Sequence, residues 1–106
     1  MKFVLNLYLD SALPGLDHEE FLTAARQAGE LIGGHAFADP SISVAVRVRD
    51  GSVTVTEGPY LQTPEHVAGQ YVVDCESRER ALELAALIQD AGIEVRPLMD
   101  SSGLEM

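Results

Sequence analysis

The chain has 106 residues, 46% of them apolar and only 6% aromatic, and its seven lysines and arginines stand against seventeen aspartates and glutamates, a formal net charge of −10. That length predicts one domain with a modest, mainly aliphatic core, since a chain of this size buries roughly 65% of the surface its unfolded form exposes. So few basic residues exclude a nucleic-acid binder, which needs a clustered basic face to displace counterions from phosphates, and they disfavour an anionic membrane surface.

Phe3, Leu5, Leu7 and Leu9 alternate with Lys2, Val4, Asn6, Tyr8 and Asp10, the period-two pattern of a strand with one apolar and one mixed face. The run is short and lacks a small-residue cleavage site, so it reads as a strand and not as a signal peptide. Residues 11–16, with Pro14 and Gly15, read as a loop. Asp17 with Glu20 three residues on forms an aspartate variant of the capping box. Phe21, Ala25, Ala28 and Ile32, broadened by Leu22, then predict a helix that Gly33 and Gly34 end. Residues 35–37 read as a short strand.

Asp39-Pro40 marks a turn, after which Ile42, Val44, Val46 and Val48 alternate with Ser43, Ala45, Arg47 and Arg49. Asp50-Gly51 followed by alternating Val53 and Val55 predicts a hairpin, because both central residues of a type I′ turn need positive φ. Residues 58–64 read as a loop and 67–74 as a strand. Ser77 is a candidate N-cap, with Glu79 placed for the helix dipole. Ala81, Leu84, Ala85, Ile88 and Ala91 form a second helical stripe that Gly92 closes, and 93–98 is a last strand. Without the inserted hairpin the order is βαββαβ, the α+β arrangement of a ferredoxin-like fold, with a domain over 1–99 and a tail over 100–106.

Two helices cover one face of such a sheet. The other carries Val4 and Tyr8, shared with Val72 and Leu98, and burying it is worth about 25 cal/mol per Å². A two-fold homodimer, sheet against sheet and with the hairpin reaching across, is the expected remedy. The lone Cys75 excludes an internal disulfide and fits a reducing, cytoplasmic compartment. No window approaches the ~20 apolar residues a membrane helix needs.

The segments VRVRDG, VTEGPY, TPEHVAGQYVVD and the closing EVRPLM resemble the YCII-related family, in particular its DGPF subgroup, over most of the chain. Glu57-Gly58-Pro59-Tyr60 stands where that subgroup typically reads Asp-Gly-Pro-Phe, and Ala68-Gly69-Gln70-Tyr71 replaces its usual glycine pair before the aromatic. The resemblance implies a ferredoxin-like domain that dimerises into an α+β barrel. It also implies a sensing or accessory role linked to extracytoplasmic-function sigma factors.

A cleft at the mixed sheet face would gather Asn6, Tyr8, Asp10, His18, His35, Tyr60 and His66. The first reading is a small-molecule binding or regulatory module with Asn6, Tyr8 and Tyr60 as ligand contacts. The alternative is a dimeric-barrel enzyme, a lyase or dehydrohalogenase-like proton-transfer catalyst, with His35 or His18 as base and Asp10 orienting it. Some YCII relatives resemble this scheme in using a His and Asp pair, but their histidine lies further into the first helix, where this chain reads LTAARQAGEL. A third reading is a structural dimer whose hairpin edge recruits a protein partner. Each histidine also has a bland reading, solvated for His18 and His66 and satisfied by a backbone carbonyl for His35. Arg47, Arg49 and Arg96 would form an anion subsite if they gathered, or pair with acids if they did not. No metal-ligand spacing, phosphate loop or CxxC motif occurs, and no cofactor is expected.

Overall fold

The computed structural model describes residues 1–10 and 17–99; the loop expected over 11–16 and the tail over 100–106 lie outside them. In chain order the elements are β1 (Lys2–Asp10), α1 (Glu19–Gln27), β2 (Leu31–Ala36), a 3₁₀ turn (Pro40–Ile42), β3 (Val44–Arg49), β4 (Ser52–Glu57), β5 (Glu65–Asp74), α2 (Arg78–Ala85) and β6 (Gly92–Pro97). Four strands form an antiparallel sheet in the order β2-β5-β1-β6, and β3-β4 is a separate two-stranded sheet. The chain is thus an α+β protein in which the inserted hairpin interrupts the βαββαβ order between β2 and β5.

The odd residues of β1 carry the core. Phe3, Leu5 and Leu7 pack with Phe21 and Ala25 of α1, Ala81 and Leu84 of α2, and Tyr71 and Val73 of β5. Truncating a buried phenylalanine such as Phe3 or Phe21 typically costs about 3–5 kcal/mol. Both helices lie on this face. The Cα positions span 44 × 42 × 17 Å, a thin plate with the hairpin set apart from the main sheet.

Four expectations about element ends are corrected. Helix α1 stops at Gln27, because Gly29 (φ +69°) supplies the left-handed turn there and Leu31 already pairs with Val73 in β2. Gly33 and Gly34 therefore lie inside a strand rather than ending a helix. Ile32 fits helical and strand periods alike, which is why the stripe over-extends. His18, not Asp17, occupies the N-cap of α1, with no side-chain cap bond, while Asp17 bridges to Gln89. Helix α2 ends at Ala85, well before Gly92, and Asp90 (φ +53°) makes the left-handed turn. Ile42 belongs to the 3₁₀ turn and not to the strand that follows.

Other local signals match the structure. Asp50 (φ +50°) and Gly51 (φ +79°) turn the hairpin. Ser77 Oγ accepts from the Arg80 N–H at 3.1 Å. Arg80 also forks onto Glu30, its Nε and Nη2 donating at 2.8–3.1 Å, and reaches Glu83 at 3.2 Å. This joins the start of α2 to the chain entering β2, and the Glu30 carboxylate, then Glu83, raises the guanidinium pKa. Among the described residues no helix is long and apolar enough to cross a membrane.

Candidate functional site

The helix-free face of the sheet is built in registers, because strand side chains alternate faces and partners across strands stand side by side. The first register is Val72–Val4–Arg96; the next is His35–Gln70–Asn6–Glu94. A bulge between Leu7 and Tyr8 follows, so that Tyr8 stands opposite Val67 and Ala68 is the extra residue. Asp10 opposite Glu65 ends the face.

The second register is a directed hydrogen-bond chain. Gln70 Nε2 donates to Asn6 Oδ1 (2.7 Å), Asn6 Nδ2 donates to Glu94 Oε1 (3.0 Å), and Arg96 donates to Glu94 Oε2 (2.9 Å). Asn6 first, then Arg96, holds the Glu94 carboxyl below its ordinary range. Asn6 thus lies on the helix-free face, but both ends of its amide are engaged.

A cavity of about 930 Å³ opens at the far end of this face. Its walls include Tyr8 from β1, Phe37 and Asp39 from the link after β2, Tyr60 and Leu61 from the link after β4, and Glu65, His66 and Val67 from β5. The two links meet because they flank the hairpin, whose base is closed by the Gly58 N–H donating to Ser43 O (2.7 Å). Asp39 Oδ1 accepts from the Ser41 N–H at 2.8 Å, capping the 3₁₀ turn. That backbone bond, with the Ser41 hydroxyl and nearby His66 adding to it, lowers the Asp39 pKa against the opposing effect of burial. The Arg47 guanidinium stands 4.4 Å from the Tyr60 ring centroid, a cation–π contact.

A model of the YCII-related domain matches residues 15–101. The chain belongs to the YCII-related family. This YCII-related protein is also 31% identical over 77 residues to an uncharacterized protein of Rhizobium meliloti, a match that covers 68% of the chain and 62% of that relative.

Of the residues singled out from sequence, Tyr8 and Tyr60 line the same cavity, and His66 joins them. His18 stands on the helix side of the sheet: its ring meets Tyr71 edge-on at 5.6 Å, and its Nδ1 lies 3.2 Å from the Tyr71 hydroxyl. Burial pushes the Tyr71 phenol pKa up. His35 is exposed on edge strand β2 beside Gln70, and Asp10 is the register partner of Glu65. The structure does not bring His18, His35 and Asp10 into one group. The three arginines do not gather either: Arg47 and Arg49 sit on the hairpin and Arg96 pairs with Glu94 on β6. Burial raises the Cys75 thiol pKa. Among the described residues no three His, Cys, Asp or Glu form a metal-binding group.

Sequence reasoning did not single out Phe37, Asp39 and Glu65 as wall residues. The available signal was positional: Asp39-Pro40 and Gly58-Pro59 both punctuate the ends of one hairpin, so the segments they belong to must converge at its base.

Proposed function

We propose that this protein is a small-molecule binding or regulatory module that works as a homodimer, with its ligand in the cavity at the end of the helix-free sheet face. The observation that carries the ligand reading is the cavity, about 930 Å³ and walled by Tyr8, Phe37, Tyr60 and Val67 beside Asp39 and His66. Ligand sites of roughly 300–1,000 Å³ combine such apolar walls with a few convergent polar groups. Asn6 belongs to the reading as a polar ligand contact, two residues before Tyr8 on β1.

The dimer reading rests on apolar surface that one copy leaves uncovered. Val44, Val46, Val48, Val53 and Val55 share one face of the β3–β4 hairpin and are each 56–65% exposed. A second copy offering about 800 Å² would cover a face of that kind. Light scattering should give twice the chain mass, and Val46→Lys with Val55→Lys should return a folded monomer. A wild-type monomer at micromolar concentration sinks the dimer. The ligand reading is checked by thermal shift against a broad metabolite library, where a flat response refutes it. The DGPF resemblance adds a cytoplasmic role beside a sigma factor, which co-purification with that sigma factor from the native host tests.

The second reading is a lyase or dehydrohalogenase-like proton-transfer enzyme. Its base is His35 or His18 with Asp10 orienting it, or His66, which is favoured by its position on the same cavity wall as Asp39 and Glu65. Solvent-deuterium incorporation at acidic C–H positions of small keto acids is the assay, run beside His66→Ala, His35→Ala and His18→Ala. Incorporation no faster than in buffer ends this reading.

A further inference from the structure

We propose that the cavity takes a small organic cation, a protonated amine or quaternary ammonium on an apolar body. This rests on the ligand-binding reading above and specifies its chemistry. Three aromatic side chains, Tyr8, Phe37 and Tyr60, and two carboxylates, Asp39 and Glu65, share the lining, and among the described residues no lysine or arginine belongs to it. Aromatic faces carry negative quadrupole charge and attract desolvated cations; a carboxylate beside them adds a Coulomb attraction that an anion would meet as repulsion.

The charge distribution of the chain supports the same ligand sign. Seven lysines and arginines serve seventeen acids, and among the described residues the pairs they and the N-terminal ammonium form lie elsewhere: Arg80 with Glu30 and Glu83, Arg78 with Glu79, Arg96 with Glu94, and the N-terminal ammonium with Asp74. Among the described residues no lysine or arginine forms an ion pair with Asp39 or Glu65. Asp39 is held in its ionised form by the Ser41 N–H. Among the described residues His66 is the one basic side chain in the lining. Tyr60 already carries a cation: Arg47, outside the lining, lies against its ring. An anionic ligand would instead need Arg47 to leave Tyr60 and enter the cavity, and it would still face both carboxylates.

The experiment titrates the full chain with three probes of one size and shape: choline, its neutral carbon isostere 3,3-dimethylbutan-1-ol, and the anion 3,3-dimethylbutanoate. Amide and aromatic NMR signals of Tyr8, Phe37, Tyr60 and Val67 report occupancy. The expected result is choline binding roughly tenfold tighter than the alcohol, weakening as salt rises, with the anion weakest. Glu65→Gln should reduce the preference for choline over the alcohol. Equal or tighter binding of the alcohol or the anion at these residues overturns the cation proposal while leaving a ligand site in place. No shift at these residues with any probe also overturns the cation proposal, while the ligand-binding reading stands or falls on the thermal-shift library.

Discussion

Gly34 offers the sharpest test of how this backbone is held. It lies in β2 at φ +137°, and a Cβ built there would sit 2.2 Å from the Gln70 carbonyl oxygen and 2.6 Å from both Cα and Cδ1 of Tyr71. Two of those three atoms are backbone, so no flexible side chain can yield. A non-glycine residue in such a region costs of order 1–3 kcal/mol, and forcing β2 away from β5 adds roughly 1–3 kcal/mol of overpacking. Gly34→Ala should therefore destabilise by about 4 kcal/mol, a large share of the roughly 5–15 kcal/mol that holds an ordinary domain. At roughly 4–8 °C per kcal/mol for a domain near this size, melting falls by about 15–30 °C. Gly33 is the internal control: nothing lies within 4 Å of its added Cβ and its φ is ordinary. Gly33→Ala should stay within about 1 kcal/mol of the parent, and restricting the unfolded chain favours a small gain. Calorimetry or thermal circular dichroism on the two single variants decides the matter. If Gly34→Ala melts within about 4 °C of the parent, the close approach of β2 to β5 is not what holds this glycine.

Asn6→Ala removes the first of the two hydrogen bonds that keep Glu94 ionised, so the Glu94 titration followed by carboxyl NMR should move up toward the ordinary carboxylate range. Because the folded-state value in the parent is depressed, this contribution to stability is present above the unfolded pKa and is lost as pH falls through the folded one. The variant should therefore lose less stability on acidification. Ser77→Ala removes the N-cap bond of α2 and should cost about 1 kcal/mol in urea titration. Cys75 is buried, with its thiol pKa raised by that burial. Iodoacetamide at pH 8 should thus leave the folded protein largely unmodified and react fully in denaturant; rapid modification of the native protein would contradict the burial.

Much of the fold was legible where one residue type does one job. Alternation in residues 2–10, the Asp50-Gly51 turn and the Ser77 cap read correctly because each depends on local backbone geometry. The end of α1 did not, since Gly29 and the Gly33-Gly34 pair are equally good stop signals, and only the pairing of Leu31 with Val73 selects the earlier one. The site was half legible. Tyr8 and Tyr60 lie in regular or strongly punctuated segments, whereas Phe37 and Asp39 acquire their place through the long-range closure of the hairpin base. The chain from Gln70 through Asn6 to Glu94 depends on the registers of three strands, and no local pattern encodes those.

A plate only 17 Å through has no depth in which to hide damage. Every side chain beneath the sheet belongs to a single course, and the helices on its other side already meet bulk water. Phe21 is fully buried in that course and has no second layer behind it, so trimming it to alanine should fall toward the upper end of the loss of about 3–5 kcal/mol usual for a buried phenylalanine, read by urea titration.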